Sequence, residues 1–506
     1  MRLLRFYIGQ YRVLKELDLP FDWGQHEKNQ DRRYYLDFLV GVNGTGKSTV
    51  LQLLGYIFSV VQQSYDALGG IPFILEYYLD RKGQKVRIAT IDPQSKELLD
   101  RYFVSTAPGL DHPYDAERPD QDHLKDAVDS ELLPERVIAY TTGDETAWLA
   151  QTVADPLEGS SSDAVRKGPK ERAPQEMPGW VLPQMQRPEG VETRFRLIRQ
   201  EDLPMVALAG LVLHQVREQS PLQDVLKEVR IQRLAGFSLE FDLTYASHEE
   251  RNALWERFGQ HAARAIRSGG KVLLVFAPEQ FQKVLEVNGN SALVFFEVLA
   301  DWHRRDPRLL SRVHLFLERT KSDYESSPTP PLHTWEWMSD GERSFLARVC
   351  LFMLFGEMES LILLDEPEVH FNDFWKRHIV YLIDRVFQTK SGTGKSHVLI
   401  ATHSSIALSD VYPDDILVLS RPDLFTDTVK IPSIQTFGAD PSDIMIYVFG
   451  TPYAAGTYSV SEFERWLEEA RKKPLPERRD FLQKCLEKVS PGYWSYRLRL
   501  AMEEQR

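Results

Sequence analysis

The sequence contains GTGKS twice, in LVGVNGTGKSTVLQLLGYIF from Leu39 and in QTKSGTGKSHVLIATH from Gln388. In the first, Gly41-Val42-Asn43-Gly44-Thr45-Gly46-Lys47-Ser48 satisfies GxxxxGK[ST], and Thr49 continues it into a helix-like run. Such a loop suits a nucleoside triphosphate. Glycines let backbone N–H groups turn inward onto phosphate oxygens. The following helix N-terminus adds partial positive charge. Lys47 can reach the β- and γ-phosphates, and the Ser48 hydroxyl can ligate Mg²⁺. In the second copy, Thr389 stands where the motif requires glycine, and a β-branched run, HVLIAT, follows. A solvated turn from helix to strand accounts for that copy.

Carboxylates at a strand end are the second requirement for phosphoryl chemistry. In SLILLDEPEVHFND an apolar strand, Leu361–Leu364, runs into Asp365-Glu366. Asp365 is placed to hold Mg²⁺ through water, and Glu366 to polarise an attacking water. In EWMSDGERSFLARVCLFML, Ser339-Asp340-Gly341-Glu342 opens a helix. Ser339 with Glu342 also reads as a capping box, which needs no ligand. VLIATHSSIALSD is a strand ending at Thr402 with His403 just beyond it. Glu368–Asn372 turns the chain toward a helix beginning near Phe374.

These residues need elements to position them. Residues 1–60 read as a hairpin turning at Gly9–Gln10, a buried strand YYLDFLV, the loop, and a helix from Ser48 to Val61. Strand-like runs IPFILEYYLD and KVRIATID follow. Residues 104–131 and 151–195 are loop-like, rich in Pro, Gly, Ser and Asp. The stretch 196–312 is mostly helical in pattern, an α/β rhythm returns from Trp335 to about Ser420, and the last 70 residues read as helices. The expected division is 1–103, 104–334, 335–425 and 426–506. The chain has 506 residues with a formal charge of −13, from 61 basic and 74 acidic side chains, and lacks any block of five or six like charges. An acidic average argues against a nucleic-acid coat over the whole surface, without excluding one basic groove. Two cysteines without a CxxC, no apolar run long enough to span a bilayer and no signal-peptide pattern point to a cytoplasmic protein without membrane contact.

Order and context together resemble the ABC-type P-loop ATPases of the SMC/RecF/OLD branch, over 1–60 and 335–420, and more weakly over 436–470. As a group the motifs are similar to the AAA-type ATPases encoded beside restriction or anti-phage effectors, including the ATPase subunits of the Septu and PARIS systems. The resemblance implies an α/β ATPase head with a mixed β-sheet, a mostly helical insertion before the signature motif and a helical C-terminal region. It implies that ATP and Mg²⁺ are bound by Lys47, Ser48 and Asp365 in one subunit and by Ser339 and Gly341 of a second copy, closing a head-to-tail dimer. Glu366 is then the general base and His403 the γ-phosphate sensor, with Glu368–Asn372 along the dimer seam. Lys47 and Ser339 lie 292 positions apart, more than a transporter ATPase needs and too interrupted for a long coiled coil. No glutamine is assigned to the loop that carries one in this family, and no built-in nuclease is expected. The expected partner is a separately encoded effector, with DNA as a further candidate. A RecF-like DNA clamp and an ATP-stabilised scaffold with little turnover are the alternatives.

Overall fold

The computed structural model describes residues 1–21, 32–61, 70–114, 132–149, 194–217, 222–320, 332–356, 358–388, 395–421 and 427–503. By its internal packing the chain separates into Met1–Gly438 and Ala439–Arg506. The break falls after Gly438 rather than at 425–426, because a short strand at Thr428–Lys430 still pairs into a sheet of the first unit.

Three sheets build the first unit. The N-terminal sheet is antiparallel, in the order β2-β1-β4-β5-β6. Its strands are β1 (Arg2–Tyr11), β2 (Leu14–Pro20), β4 (Phe73–Leu79), β5 (Gln84–Ile91) and β6 (Leu98–Pro108), while β3 (Tyr34–Val40) leaves it for a second sheet. The β1–β2 turn lies at Arg12–Val13, not at Gly9–Gln10. Gly9 stays in strand register and its N–H donates to Pro72 O at 2.8 Å, whereas Arg12 takes the left-handed conformation the turn requires (φ +50°).

The second sheet has seven strands in the order β17-β16-β3-β15-β14-β7-β8. Its further members are β7 (Arg136–Thr141), β8 (Phe195–Ile198), β14 (Ser360–Asp365), β15 (Ser396–Ala401), β16 (Ile416–Ser420) and β17 (Thr428–Lys430). Every pairing is parallel except β16 with β17. Parallel strands are covered on both faces, and β7, β14 and β15 are buried at every position. The Lys47–Val61 helix is apolar nearly all round, so it must be enclosed rather than half-solvated. It lies in one apolar cluster with Phe6, Leu17 and Tyr77 of the first sheet and Leu39, Leu363 and Leu399 of the second.

The third sheet, β10-β11-β9-β12-β13, is antiparallel. It comprises β9 (Ile231–Asp242), β10 (Arg264–Ser268), β11 (Lys271–Phe276), β12 (Leu310–Arg319) and β13 (Leu332–Thr334). The helical pattern of 196–312 holds for Leu203–Val216, His248–Arg257 and Ala292–Arg305 but did not disclose this sheet. Phe237 and Phe276 of its strands stack on each other, and Phe295 of the Ala292–Arg305 helix packs against Phe237. The fold class is α/β, as expected. The second unit is helical, with Thr457–Arg471, Leu475–Leu486 and Tyr493–Glu503 closing on Leu467, Leu482 and Leu498. Of the second GTGKS, residues 389–394 lie outside the described residues. The flanking elements are a helix, Asp373–Gln388, and β15, so no helix starts after that copy. No helix among the described residues is long and apolar enough to cross a membrane.

The Leu203–Val216 helix crosses the Asp340–Phe355 helix at Gly210. A Cβ on Gly210 would lie 2.5 Å from Cys350 Cβ and 3.0 Å from its Cα. Alanine in a helix interior normally gains about 1 kcal/mol over glycine, but overpacking against backbone-fixed atoms costs about 1–3 kcal/mol, and here the clash wins. Gly210→Ala is therefore expected to lower the denaturation midpoint of the first unit. A rise would contradict this packing.

Candidate functional site

The register of the second sheet assembles the site. Asp365 on β14 pairs with Ala401 on β15 and Thr141 on β7, and Ala401 pairs with Leu39 on β3. The C-terminal ends of four parallel strands are thus level, and the segments leaving them share one edge, where open parallel sheets present their sites. The Gly41–Ser48 loop leaves β3, Glu366 leaves β14, His403 follows β15, and Thr142 follows β7.

The loop is shaped by glycines in the left-handed region, Gly44 at φ +83° and Gly46 at φ +93°. At Gly46 a side chain would also run into Leu14 of the β1–β2 hairpin, so the loop is covered from above. Thr45 Oγ1 donates to Val42 O at 2.9 Å. The Lys47 ammonium lies over the loop, donating to Gly41 O at 3.0 Å and Val42 O at 3.3 Å. Burial pulls its pKa down to about 8 against the opposing pull of Glu366 and Asp365. A strained loop that parks a desolvated cation on its own carbonyls has a place for an anion.

Ser48 and Asp365, 317 positions apart, meet directly: Ser48 Oγ donates to Asp365 Oδ1 at 2.8 Å. Thr141 Oγ1 donates to the other oxygen at 3.3 Å. Burial nevertheless pushes the Asp365 carboxyl up to about 6, an effect that two hydroxyls and Lys47 only partly offset. Hydroxyl and carboxylate side by side in a site short of positive charge fit Mg²⁺, which takes one or two protein oxygens and completes its shell with water and phosphate. No group of three or more His, Cys, Asp or Glu able to hold a metal occurs among the described residues.

Glu366 has φ +49°, a conformation costing about 1 kcal/mol or more for a non-glycine residue. Its backbone is pinned on both sides: its N–H donates to Ala401 O at 2.8 Å, and its carbonyl accepts from Thr142 Oγ1 at 3.1 Å. The constraint leaves the carboxylate accessible, with Oε1 3.5 Å from His403 Nε2. Burial and then the Lys47 cation lower the His403 pKa, while Glu366 opposes them, so the imidazole is neutral near pH 7. The structure therefore brings Lys47, Ser48, Asp365, Glu366 and His403 together.

Ser339 and Gly341 are placed differently. Ser339 is the N-cap of Asp340–Phe355, exchanging capping-box hydrogen bonds with Glu342. A Cβ on Gly341 would lie 2.9 Å from His370 O and 3.0 Å from Trp375, so glycine is required by close packing within the chain. The capping box read from the sequence is therefore present within the single subunit. Within Glu368–Asn372, Glu368 is buried and accepts a hydrogen bond from Thr402 Oγ1, whereas His370 and Asn372 are exposed.

Two contributors escaped the sequence reading. Thr141 looks like the last residue of an ordinary apolar strand, and only the β7–β14 register makes it a partner of Asp365. Arg348, on the third turn of the Asp340–Phe355 helix, is 2% exposed. It donates to Tyr140 OH at 2.8 Å and lies over the Tyr140 and Phe371 rings, so it ties that helix to the strand end beside Asp365.

Residues 284–410 match the family described as "AAA domain, putative AbiEii toxin, Type IV TA system". No curated protein matches the chain. Among solved structures, the crystal structure of the SmcHead bound to the C-winged helix domain of ScpA is similar, with 11% identity over 85% of this chain and 98% of that one and a TM-score of 0.33. That score is too low to carry weight. The matched stretch contains Ser339, Asp365, Glu366 and His403 but not the Gly41–Ser48 loop, which the sheet register sets beside them.

The Asp365 shift sets a pH dependence. Its folded value of about 6 lies above the ordinary 3.8, so between these pH values the folded chain holds a proton that the unfolded chain has lost. Stability from this group is complete below about pH 4 and lost as pH rises through 6. Asp365→Asn, which removes the buried charge, is expected to raise the ligand-free melting temperature at pH 7.5 by about 2 °C or more, while abolishing Mg²⁺-dependent nucleotide binding. In the unsubstituted chain that binding, read by a fluorescent nucleotide, should fall as pH drops below about 6. Unchanged melting with retained binding would remove Asp365 from the metal site.

Proposed function

We propose that the chain binds and hydrolyses ATP with Mg²⁺ and that two copies close head-to-tail around two nucleotides. The observation that carries this reading is the convergence, at one sheet edge, of a desolvated lysine, a hydroxyl–carboxylate pair and a second carboxylate beside a histidine. Gly41, Asn43, Gly44, Thr45, Gly46 and Thr49 wrap the phosphates, Lys47 supplies the fixed cation, and Ser48 and Asp365 hold the metal. Bound Mg²⁺ neutralises charge on the phosphate oxygens. Glu366 takes the proton of the attacking water, and its strained backbone keeps the carboxylate in place while that happens. His403, neutral and within reach of Glu366, orients that carboxylate and reads the terminal phosphate.

The Ser339 cap supports the dimer part. Its hydroxyl and the free N–H groups of the first turn sit at a helix N-terminus, an arrangement that receives phosphate oxygens. The contacts of Ser339 within its own chain are with its own helix. The missing half of each site is then the Ser339–Gly341 turn of a second copy. We further read the chain as the sensor subunit of a defence system that restrains or activates a separately encoded effector. The support is the motif resemblance together with the toxin–antitoxin description of the family matching residues 284–410.

Glu366→Gln is expected to keep nucleotide affinity, lower turnover by a factor on the order of 10² or more, and accumulate an ATP-dependent dimer seen by light scattering. Turnover like that of the unsubstituted chain would sink the assignment. Complementation tests the dimer. Lys47→Ala and Ser339→Arg chains should each be inactive, yet an equal mixture should recover about a quarter of normal turnover, because mixed dimers retain one intact composite site. No recovery, with both variants folded, would place both halves of the site in one chain.

A further inference from the structure

Outside the ATPase site, the largest accumulation of unexplained surface chemistry lies on the helical unit Ala439–Arg506. Its last helix, Tyr493–Glu503, buries Leu498 and packs Trp494, Ala501 and Met502 against the other helices. The opposite face carries Tyr493, Tyr496, Arg497 and Leu500, spaced i, i+3, i+4, i+7, so the four form one stripe along the helix. Tyr493 is 57% exposed and Tyr496 59%, and Leu500 is also exposed. Tyr493 meets Trp494 edge-on at 5.3 Å, yet more than half of it, as of Tyr496, stays open to solvent.

Charge distinguishes the possible occupants. Between Arg471 and Arg499 the sequence has nine Lys and Arg against three Asp and Glu, in a chain whose total charge is −13. Arg497 belongs to the tyrosine stripe and lies 6.0 Å from the Tyr493 ring centroid. Arg499 flanks the stripe's other side and, with Arg479 of the neighbouring helix, lines a cavity of about 620 Å³ between the two helices, to which Glu487 and Glu503 also contribute. A local positive surface on an acidic protein selects a polyanion. Flat rings exposed within it add a requirement that duplex backbone does not meet and unpaired bases do.

We infer that the stripe Tyr493–Tyr496–Leu500, with Arg497, Arg499 and Arg479, binds single-stranded nucleic acid, phosphates on the arginines and bases stacked on the tyrosines. This goes beyond the ATPase reading and does not depend on it. The test uses the full chain and a fluorescein-labelled oligothymidylate of about 20 nucleotides, followed by anisotropy at about 50 and 200 mM salt. Binding should weaken steeply with salt and exceed that of a duplex of equal length. Tyr493→Ala with Tyr496→Ala should reduce affinity about tenfold or more, and Arg497→Glu with Arg499→Glu should abolish it, all with unchanged basal ATP turnover. If the variants bind as the unsubstituted chain does, or if duplex binds as well as single strand, the proposal falls. It also falls if a polyglutamate peptide competes as well as the oligonucleotide, since the surface would then suit an acidic protein. Because turnover is measured in the same samples, failure here and failure of the ATPase reading are distinguishable.

Discussion

A carboxylate buried at a strand end is unfavourable unless charge or hydrogen bonds compensate it, and Asp365 is only partly compensated. The Ser48 hydroxyl reaches it at 2.8 Å and that of Thr141 at 3.3 Å, yet burial still dominates and its pKa stays raised. Everything around it follows from keeping that contact. β14 must lie inside a parallel sheet, β3 must end level with it to deliver the loop, and the Lys47–Val61 helix must be enclosed so that Ser48 points at β14. The remaining deficit of positive charge is the chemical opening for a metal ion. Stability is given up there for function, the usual place for local rules to be broken.

The lobe between the loop and Ser339 is more than spacing. β13 pairs with β12 and runs directly into the turn before Ser339, and Arg319 at the end of β12 bonds Glu342 of the capping box at 3.0 Å. Gly210 lets an apolar helix of the lobe lie against Cys350 on the same helix that Ser339 caps. Arg348, two residues before Cys350, reaches Tyr140 beside the Asp365 strand. One helix is thus held by the lobe at its mouth and by the sheet edge at its third turn.

How much was legible in advance differs by residue. The loop, the Lys47–Val61 helix and the strand ends at Asp365, Glu366 and His403 were readable, since their signals are local: glycines at fixed offsets, an apolar run, a carboxylate at its end. Helix phase likewise exposed the capping box at Ser339. The hairpin turn was misplaced because Gly9 is the conspicuous turn former, whereas the turn rests on Arg12 in a conformation the sequence does not advertise. Thr141 and Arg348 carried no signal. One is a polar residue ending an apolar strand and the other a lone cation in an apolar helix, and each acquires its role from a partner more than 200 positions away.

Local chemistry along the chain therefore determined which copy meets the phosphate-loop pattern, and why its duplicate does not, because both depend on neighbours within a few residues. Tertiary structure alone decided what stands across from those residues. Parallel register set Thr141 and Ser48 on the two oxygens of Asp365, close packing explained Gly210 and Gly341, and the folding of three short helices turned Tyr493, Tyr496 and Arg497 outward together. Register and packing are sums over contacts distant in sequence, so no short window contains them.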